Sequence, residues 1–451
     1  MRKKLFVFIA LLIFFISFFF IKYNVQNNTD LFYKYKKKIP LVIKKQIRFV
    51  LTSINNIYIY RVNDFNFEKR KDKIVFDDTN PKRNLTLYSN SNLIFTGPRA
   101  YFASNDKNLY LITGTGILMS IKKNDITTKK NNFSLKKIKT NLPYFLSKYK
   151  NKFSFYYKTS MVKNLLHKDG YLYVSLVRKI NENCYKHLIV RGKLKKNDIL
   201  FKEFFTLQDC RIFYSDYVGG NLADYKNDKI LYTVGDWAIC EDFRWLKKGK
   251  GFCTKNNSQN LSSTLGKFYE ININTRESKI ISIGHDNPQG ITYDHVNDII
   301  FSTEHGPQGG DELNININPS TIEVKNFGFP ISSYGEHYGY PSEGVRYKYE
   351  EAPFYKSHKE YGFVEPLDYF VPSIGISDIE KIDNKLFVAS MGSDIEHGDL
   401  SLHVYTLDFD QKVKKKEILK VYERIRDIHV IENFILFFFE TTGTIAIYER
   451  N

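Results

Sequence analysis

One short pattern recurs along this chain, a polar turn followed by an aliphatic and aromatic run. Its copies are Asp106–Leu111, Asp169–Val174, Asn227–Tyr232, Asn297–Phe301, Asp383–Val388 and Glu432–Phe437. They stand roughly 50 to 85 residues apart, a blade-like spacing. A chain patterned in this way folds as a β-propeller, or as a β-sandwich whose repeats are fortuitous. Its 32 Tyr and 37 Phe suit strands. At 451 residues it can bury one large β domain. Long helical periodicity is absent after residue 73.

The N-terminal end has a different pattern. Arg2, Lys3 and Lys4 precede an apolar run from Leu5 to Ile21, broken only by Ser17. No small-x-small cleavage site follows, so residues 1–23 read as an uncleaved transmembrane signal anchor. The basic end stays in the cytoplasm. The remainder then faces the periplasm or cell exterior, tethered to the inner membrane. Residues 24–72 read as a stalk or linker and 73–451 as the β domain. The four cysteines, Cys184, Cys210, Cys240 and Cys253, fit an oxidising compartment. Of the three pairings they permit, Cys184–Cys210 with Cys240–Cys253 is preferred, because each closes a local loop. The net charge of +18 comes with dispersed lysines and no nucleic-acid-binding motif, so it reads as a solvated basic surface.

A second feature is chemical. Residues Gly284 to Asn314 read GHDNPQGITYDHVNDIIFSTEHGPQGGDELN, a strand with a dense polar loop at each end. Glycines let the backbone approach a ligand closely. The loop carbonyls and the acids Asp311 and Glu312 are oxygen donors of the kind Ca²⁺ prefers. Further on come Asn326-Phe327-Gly328-Phe329-Pro330 and Ser333-Tyr334-Gly335-Glu336. Together these segments resemble the glucose/sorbosone dehydrogenase family, by segments from about residue 75 to the end. The resemblance implies a six-bladed β-propeller that carries pyrroloquinoline quinone (PQQ). It also implies oxidation of an aldose or related sugar by hydride transfer to that quinone. The propeller becomes the preferred fold, behind the N-terminal anchor.

The resemblance further implies a site on one rim of the propeller. Asn287 and Gln289 would contact the cofactor, as would Arg424 and Arg426 in the ERIRDI segment. Arginine suits the cofactor's carboxylates because its planar fork binds them bidentately. Gly306 and Pro307 would hold the cofactor Ca²⁺ through their carbonyls, and Asp311 and Glu312 a structural Ca²⁺. Tyr217 stands at the position of the family's general-base histidine, a poor base at neutral pH. Asn221 and Asp286 each replace an arginine, and Met391-Gly392-Ser393 replaces a lysine segment. These exchanges open an alternative, a catalytically degenerate, Ca²⁺-stabilised propeller that binds a sugar, a glycan or a protein partner.

Overall fold

The computed structural model describes residues 62–76, 83–90, 99–128, 131–147, 161–181, 183–195, 198–211, 214–237, 257–321, 323–337, 354–392 and 400–450. Among these the strands form a ring of six blades. The innermost strands are Ala100–Ser104, Val162–Lys168, Gly219–Tyr225, Asn287–Asp294, Ile376–Ile382 and Ile425–Ile431. Each packs beside the next, and the sixth returns to the first. We number the blades in that order.

The recurrent sequence pattern marks one place in every blade. It spans the hairpin turn after the innermost strand and the start of the second strand. In four of these turns an acidic residue sits in the left-handed region: Asp169 (φ 50°), Asp298 (φ 51°), Asp383 (φ 52°) and Glu432 (φ 51°). The second strand is central in its blade and is covered on both sides by neighbouring blades. It therefore reads as an unbroken apolar run, as in Phe434–Phe439 with sequence FILFFF. The apolar core is accordingly divided among six clusters, one at each junction between blades. Outer strands such as Val413–Lys420 are mostly exposed and rich in lysine. Lysines there help account for the basic charge and blunt the strand edge.

The ring is closed by an early strand. Leu85–Ser89 pairs with Thr444–Glu449 and becomes the outer strand of blade 6. Asp64–Ile74 then bridges this strand to Asn132–Lys137 of blade 1, so blades 6 and 1 share one nine-stranded sheet. The domain boundary expected at residue 73 is corrected by this strand, which starts at Asp64 and is already part of the propeller sheet. The expected anchor, residues 1–23, lies outside the described residues. Among the described residues no helix is long and apolar enough to cross a membrane. Cys184 and Cys210 form a disulfide with Cα atoms 4.8 Å apart. It ties the third strand of blade 2 to the crossover leading into blade 3. Cys240 and Cys253 lie outside the described residues.

The innermost strands of blades 2 to 6 share an irregularity. Each carries an extra residue near its first turn of pairing, a β-bulge. Lys163, Gln289 and Arg426 are the unpaired residues in blades 2, 4 and 6. A bulge frees backbone groups that must be satisfied again. Hydroxyl groups do this here. Thr233 Oγ1 accepts from the amides of Gly220 (3.3 Å) and Asn221 (3.0 Å). Ser175 donates to Gly220 O, Thr303 to Ser377 O, and Ser377 to Ile425 O. Thr233 is fully buried. Thr233→Val keeps the shape but leaves two amides without an acceptor. It is expected to cost about 1–3 kcal/mol in chemical denaturation.

Candidate functional site

The rim where the innermost strands begin collects the polar residues of the ring. Arg99 immediately precedes the first of these strands, and Lys163 is the second residue of Val162–Lys168. Arg424 and Arg426 flank the start of Ile425–Ile431. Glu440 immediately follows the second strand of blade 6, Phe434–Phe439, and Met391 the corresponding strand of blade 5, Lys385–Ser390.

Arg424 and Arg426 converge on one carboxylate, Glu440. Arg426 Nε donates to Glu440 Oε2 at 2.5 Å, and Arg424 Nη2 reaches Oε1 at 3.3 Å. Arg424 Nη1 also donates to the carbonyls of Met391 and Gly392, the latter at 2.7 Å. Burial alone would raise the Glu440 carboxyl. Arg426, Arg424 and Arg99 outweigh it and hold the group well below the usual carboxylate range.

A second group adjoins this one. Arg99 lies 3.2 Å from Asp216 Oδ1 and Lys163 lies 3.8 Å from the same atom. Lys163 Nζ donates to Tyr214 Oη at 2.8 Å, and Tyr214 donates to Asp216 at 3.1 Å. Burial pushes the Lys163 amine down to about 7, aided by Arg99 and Arg426 and opposed by Asp216. The Arg99 guanidinium is held above its ordinary value, because Asp216, Tyr101, Tyr214 and Glu440 outweigh burial. Three guanidinium groups and one amine thus share two carboxylates at the mouth of the ring. Neither Arg99 nor Lys163 was singled out by sequence, and the same is true of Glu440. A basic residue at an inner-strand start was the one available signal, and it is faint in a chain with 67 Lys and Arg.

The remaining expected contacts lie on blades 3 and 4. Gln289 Nε2 donates to Asn287 Oδ1 at 3.0 Å, so the two amides act as a pair. Asn221 Nδ2 donates to the carbonyl of Pro288 at 3.1 Å, spanning blades 3 and 4. Asp286 is buried, with its amide on Glu304 and its carbonyl accepting from Asp236 N at 2.7 Å. Tyr217 is half-buried, and its carbonyl accepts from Trp237 N at 2.9 Å. A Cβ on Gly235 would lie 2.7 Å from Asp286 O and 2.9 Å from Tyr217 O. Glycine there lets the two loops close on each other.

The loop from Glu304 to Glu312 departs from the expected Ca²⁺ sites. Asp311 and Glu312 are consecutive in the strand Asp311–Ile317 and point to opposite sides. Asp311 accepts from Ile376 N at 2.8 Å and faces His305 at 3.2 Å. Glu312 faces His358 at 3.2 Å and stands opposite Glu304 across the sheet. The two acids therefore cannot hold one ion together. Pro307 O already accepts from Gly310 N at 2.9 Å, and a Cβ on Gly335 would lie 2.5 Å from it. That carbonyl faces packed backbone. Among the described residues no cluster of His, Cys, Asp or Glu is arranged to hold a metal ion. Buried Glu304 is raised well above the usual range, by burial first and then by Glu312. His285 sits beside it, 2.8 Å from Glu304 and stacked on Phe268 at 3.8 Å between ring centroids. Burial holds that imidazole down at about 3, which makes it a neutral structural group.

Inside the ring below this mouth lies a cavity of about 210 Å³, lined by Asn164, Asn221, Asp378, Glu380 and Asp427 among others. Asp378 and Asp427 accept from the amides of Ile428 (2.8 Å) and Phe102 (2.7 Å), and so tie blade 5 to 6 and blade 6 to 1. A wider cleft of about 830 Å³, near Asn297, Asp383 and Phe409, lies at the other end of the ring and holds none of these residues.

A tricarboxylate quinone fits the mouth in one respect and misfits in another. The cations it needs are present, as Arg424, Arg426 and Arg99, and the amides of Asn287 and Gln289 supply further hydrogen-bonding groups. Among the described residues no cluster of His, Cys, Asp or Glu suited to a metal ion stands beside them. Glu440 holds two of the cations in place. Glu440→Gln leaves Arg424 and Arg426 without their shared counter-charge, at an expected cost of about 3–5 kcal/mol. Because the folded-state value is depressed, this stability is present above the ordinary value of 4.5 and is lost as pH falls. Melting curves should therefore show a gap between wild type and variant that is full at pH 7 and narrows below pH 4.5.

Comparison with known proteins places this geometry. Residues 160–448 match the family model described as glucose/sorbosone dehydrogenase. An uncharacterised protein of Synechocystis is 25% identical over 47% of this chain and 50% of its own length. The aldose sugar dehydrogenase YliI of Escherichia coli is 28% identical over 34% of this chain and 38% of its own. The chain thus spans about half the length, or less, of these two curated relatives. A crystal structure of a glucose dehydrogenase superimposes with a TM-score of 0.55 at 18% identity, covering 78% of this chain and 95% of that one. The apo form of the soluble aldose sugar dehydrogenase from Escherichia coli gives 0.55 at 16% identity, covering 77% and 94%. The chain belongs to the glucose/sorbosone dehydrogenase family.

Proposed function

We propose that this propeller oxidises a hydroxyl of an aldose or related sugar by hydride transfer to PQQ. The observation that carries this reading is the convergence of three guanidinium groups, Arg424, Arg426 and Arg99, at one end of the ring. Such a cluster suits a ligand with several carboxylates. When bound, PQQ supplies a two-electron acceptor. The protein's part is to bind and orient. Arg424 and Arg426 present guanidinium forks, held by Glu440. Asn287 and Gln289 offer amides at the neighbouring strand start. Tyr217 stands at the edge of this group, next to the backbone of Asp286 at Gly235. Family membership and the cation cluster support the reaction class, and the sugar itself stays open. The apolar run Leu5–Ile21 and the Cys184–Cys210 disulfide support an exported, membrane-tethered propeller on the periplasmic or outer side.

A second reading has its own observation. Buried Asp286 and half-buried Tyr217 occupy positions where the family resemblance implies an arginine and a histidine. They favour a propeller that binds a sugar, glycan or protein partner without redox chemistry. Reconstitution separates the two. Full-length protein mixed with PQQ and desalted is expected to retain quinone absorbance and to reduce a dye when an aldose is added. Arg424→Ala and Arg426→Ala should each weaken quinone binding about ten- to hundredfold. Desalted wild type without quinone absorbance favours the second reading.

A further inference from the structure

We propose that Lys163 is the proton acceptor of the oxidation, in the role Tyr217 is unsuited to. This inference rests on the reading above and goes beyond it by naming the base.

Position comes first. Lys163 is the bulged residue of the innermost strand of blade 2. Arg426 and Gln289 hold the same place in blades 6 and 4. A bulge re-aims a side chain, and these strand starts surround one mouth. The neighbouring strand also makes room. Gly220 has φ +108°, and a Cβ there would lie 2.6 Å from Lys163 Cβ. A side chain at 220 would displace the lysine stem.

Charge comes second. The groups facing the amine are Arg99, Arg426, Asp216 and Tyr214, with His187 on the third strand of blade 2. Burial keeps His187 neutral, at about 3. Two guanidinium groups repel an ammonium here, and Asp216 is already shared with Arg99 at 3.2 Å. Burial and that repulsion bring the amine down to about 7, so a free lone pair is available at neutral pH. Tyr217 offers only a phenol.

In the step, the O–H bond of the alcohol breaks and its proton forms the third N–H bond of the Lys163 ammonium. The C–H electron pair leaves as hydride for the quinone oxidant, and the carbon becomes a carbonyl. The ammonium proton then has an exit. Tyr214 Oη bridges Lys163, at 2.8 Å, to Asp216, at 3.1 Å. The Asp216 side chain is 33% exposed and hands the proton to water.

The test has two arms on the full-length protein. The first needs no quinone. A lysine whose folded value lies near 7, below its ordinary 10.5, binds a proton in the unfolded chain that the folded chain lacks between those values. Wild-type stability should therefore gain on that of Lys163→Met as pH rises from 6 to 9.5. The Met variant is expected to melt higher at pH 6, with an advantage that shrinks with pH. A difference that does not change with pH overturns the proposal.

The second arm uses protein loaded with PQQ. Lys163→Arg keeps a hydrogen-bond donor at this place and cannot accept a proton at neutral pH. It should retain quinone absorbance and KM, lose about 10²- to 10⁴-fold in kcat, and lose the acidic limb of the pH profile near 7. Lys163→Met carries this arm if the Arg variant fails to fold. Wild-type kcat in either variant overturns the proposal. Wild type that takes up no quinone overturns the oxidative reading, and this role with it, while the melting arm reports separately on the amine.

Discussion

Closure of the ring is the constraint on which the rest of the structure depends. Leu85–Ser89 completes blade 6 by pairing with Thr444–Glu449, with Tyr88 opposite Ile445. Each core cluster is built from two neighbouring blades, so no blade buries its own faces. Removing the closing strand would uncover Leu85 and Leu87 and the cluster they share with Ile435 and Phe437. The carboxylates inside the ring add to the same closure, because Asp427 reaches Phe102 N across the seam between blades 6 and 1.

On that frame the site is an electrostatic compromise. Cations drawn to one rim repel one another, and the fold answers with two buried or half-buried carboxylates. Glu440 gathers Arg424 and Arg426, while Asp216 gathers Arg99 and Lys163. Glu440 stands beside Arg424 across the blade 6 hairpin, while Asp216 comes from the crossover into blade 3. In the loop from Glu304 to Glu312 the acids serve as structural hydrogen-bonding groups. Asp311 anchors blade 5 through Ile376 N, and Glu312 pairs with His358. Positive charge at the mouth then falls to side chains.

Much of the fold was legible in the sequence. The second strand of each blade is buried on both faces and so writes an apolar run that survives any change of partner. The Cys184–Cys210 pairing followed from a short loop. The site was less legible, for particular reasons. Lys163 meets Asp216 more than fifty positions away, and Arg426 meets Glu440 fourteen positions away. Nothing in the local pattern marks either acid as a partner. The bulges were invisible as well, because an extra residue in a strand leaves the composition unchanged. Asp311 and Glu312 are neighbours in sequence, and alternation along their strand sends them to different partners.

The closing strand has a consequence in time as well as in space. Residues 85–89 find their partner only when residues 444–449 exist. During synthesis the early strand waits with one edge open while five further blades are made. Long-range closure of this kind is slow, because the loop entropy is spent before the pairing is gained. A chain stopped short of its last strand keeps that edge unpaired and so presents a surface to which other chains can add. Completion of that strand is thus what seals the ring.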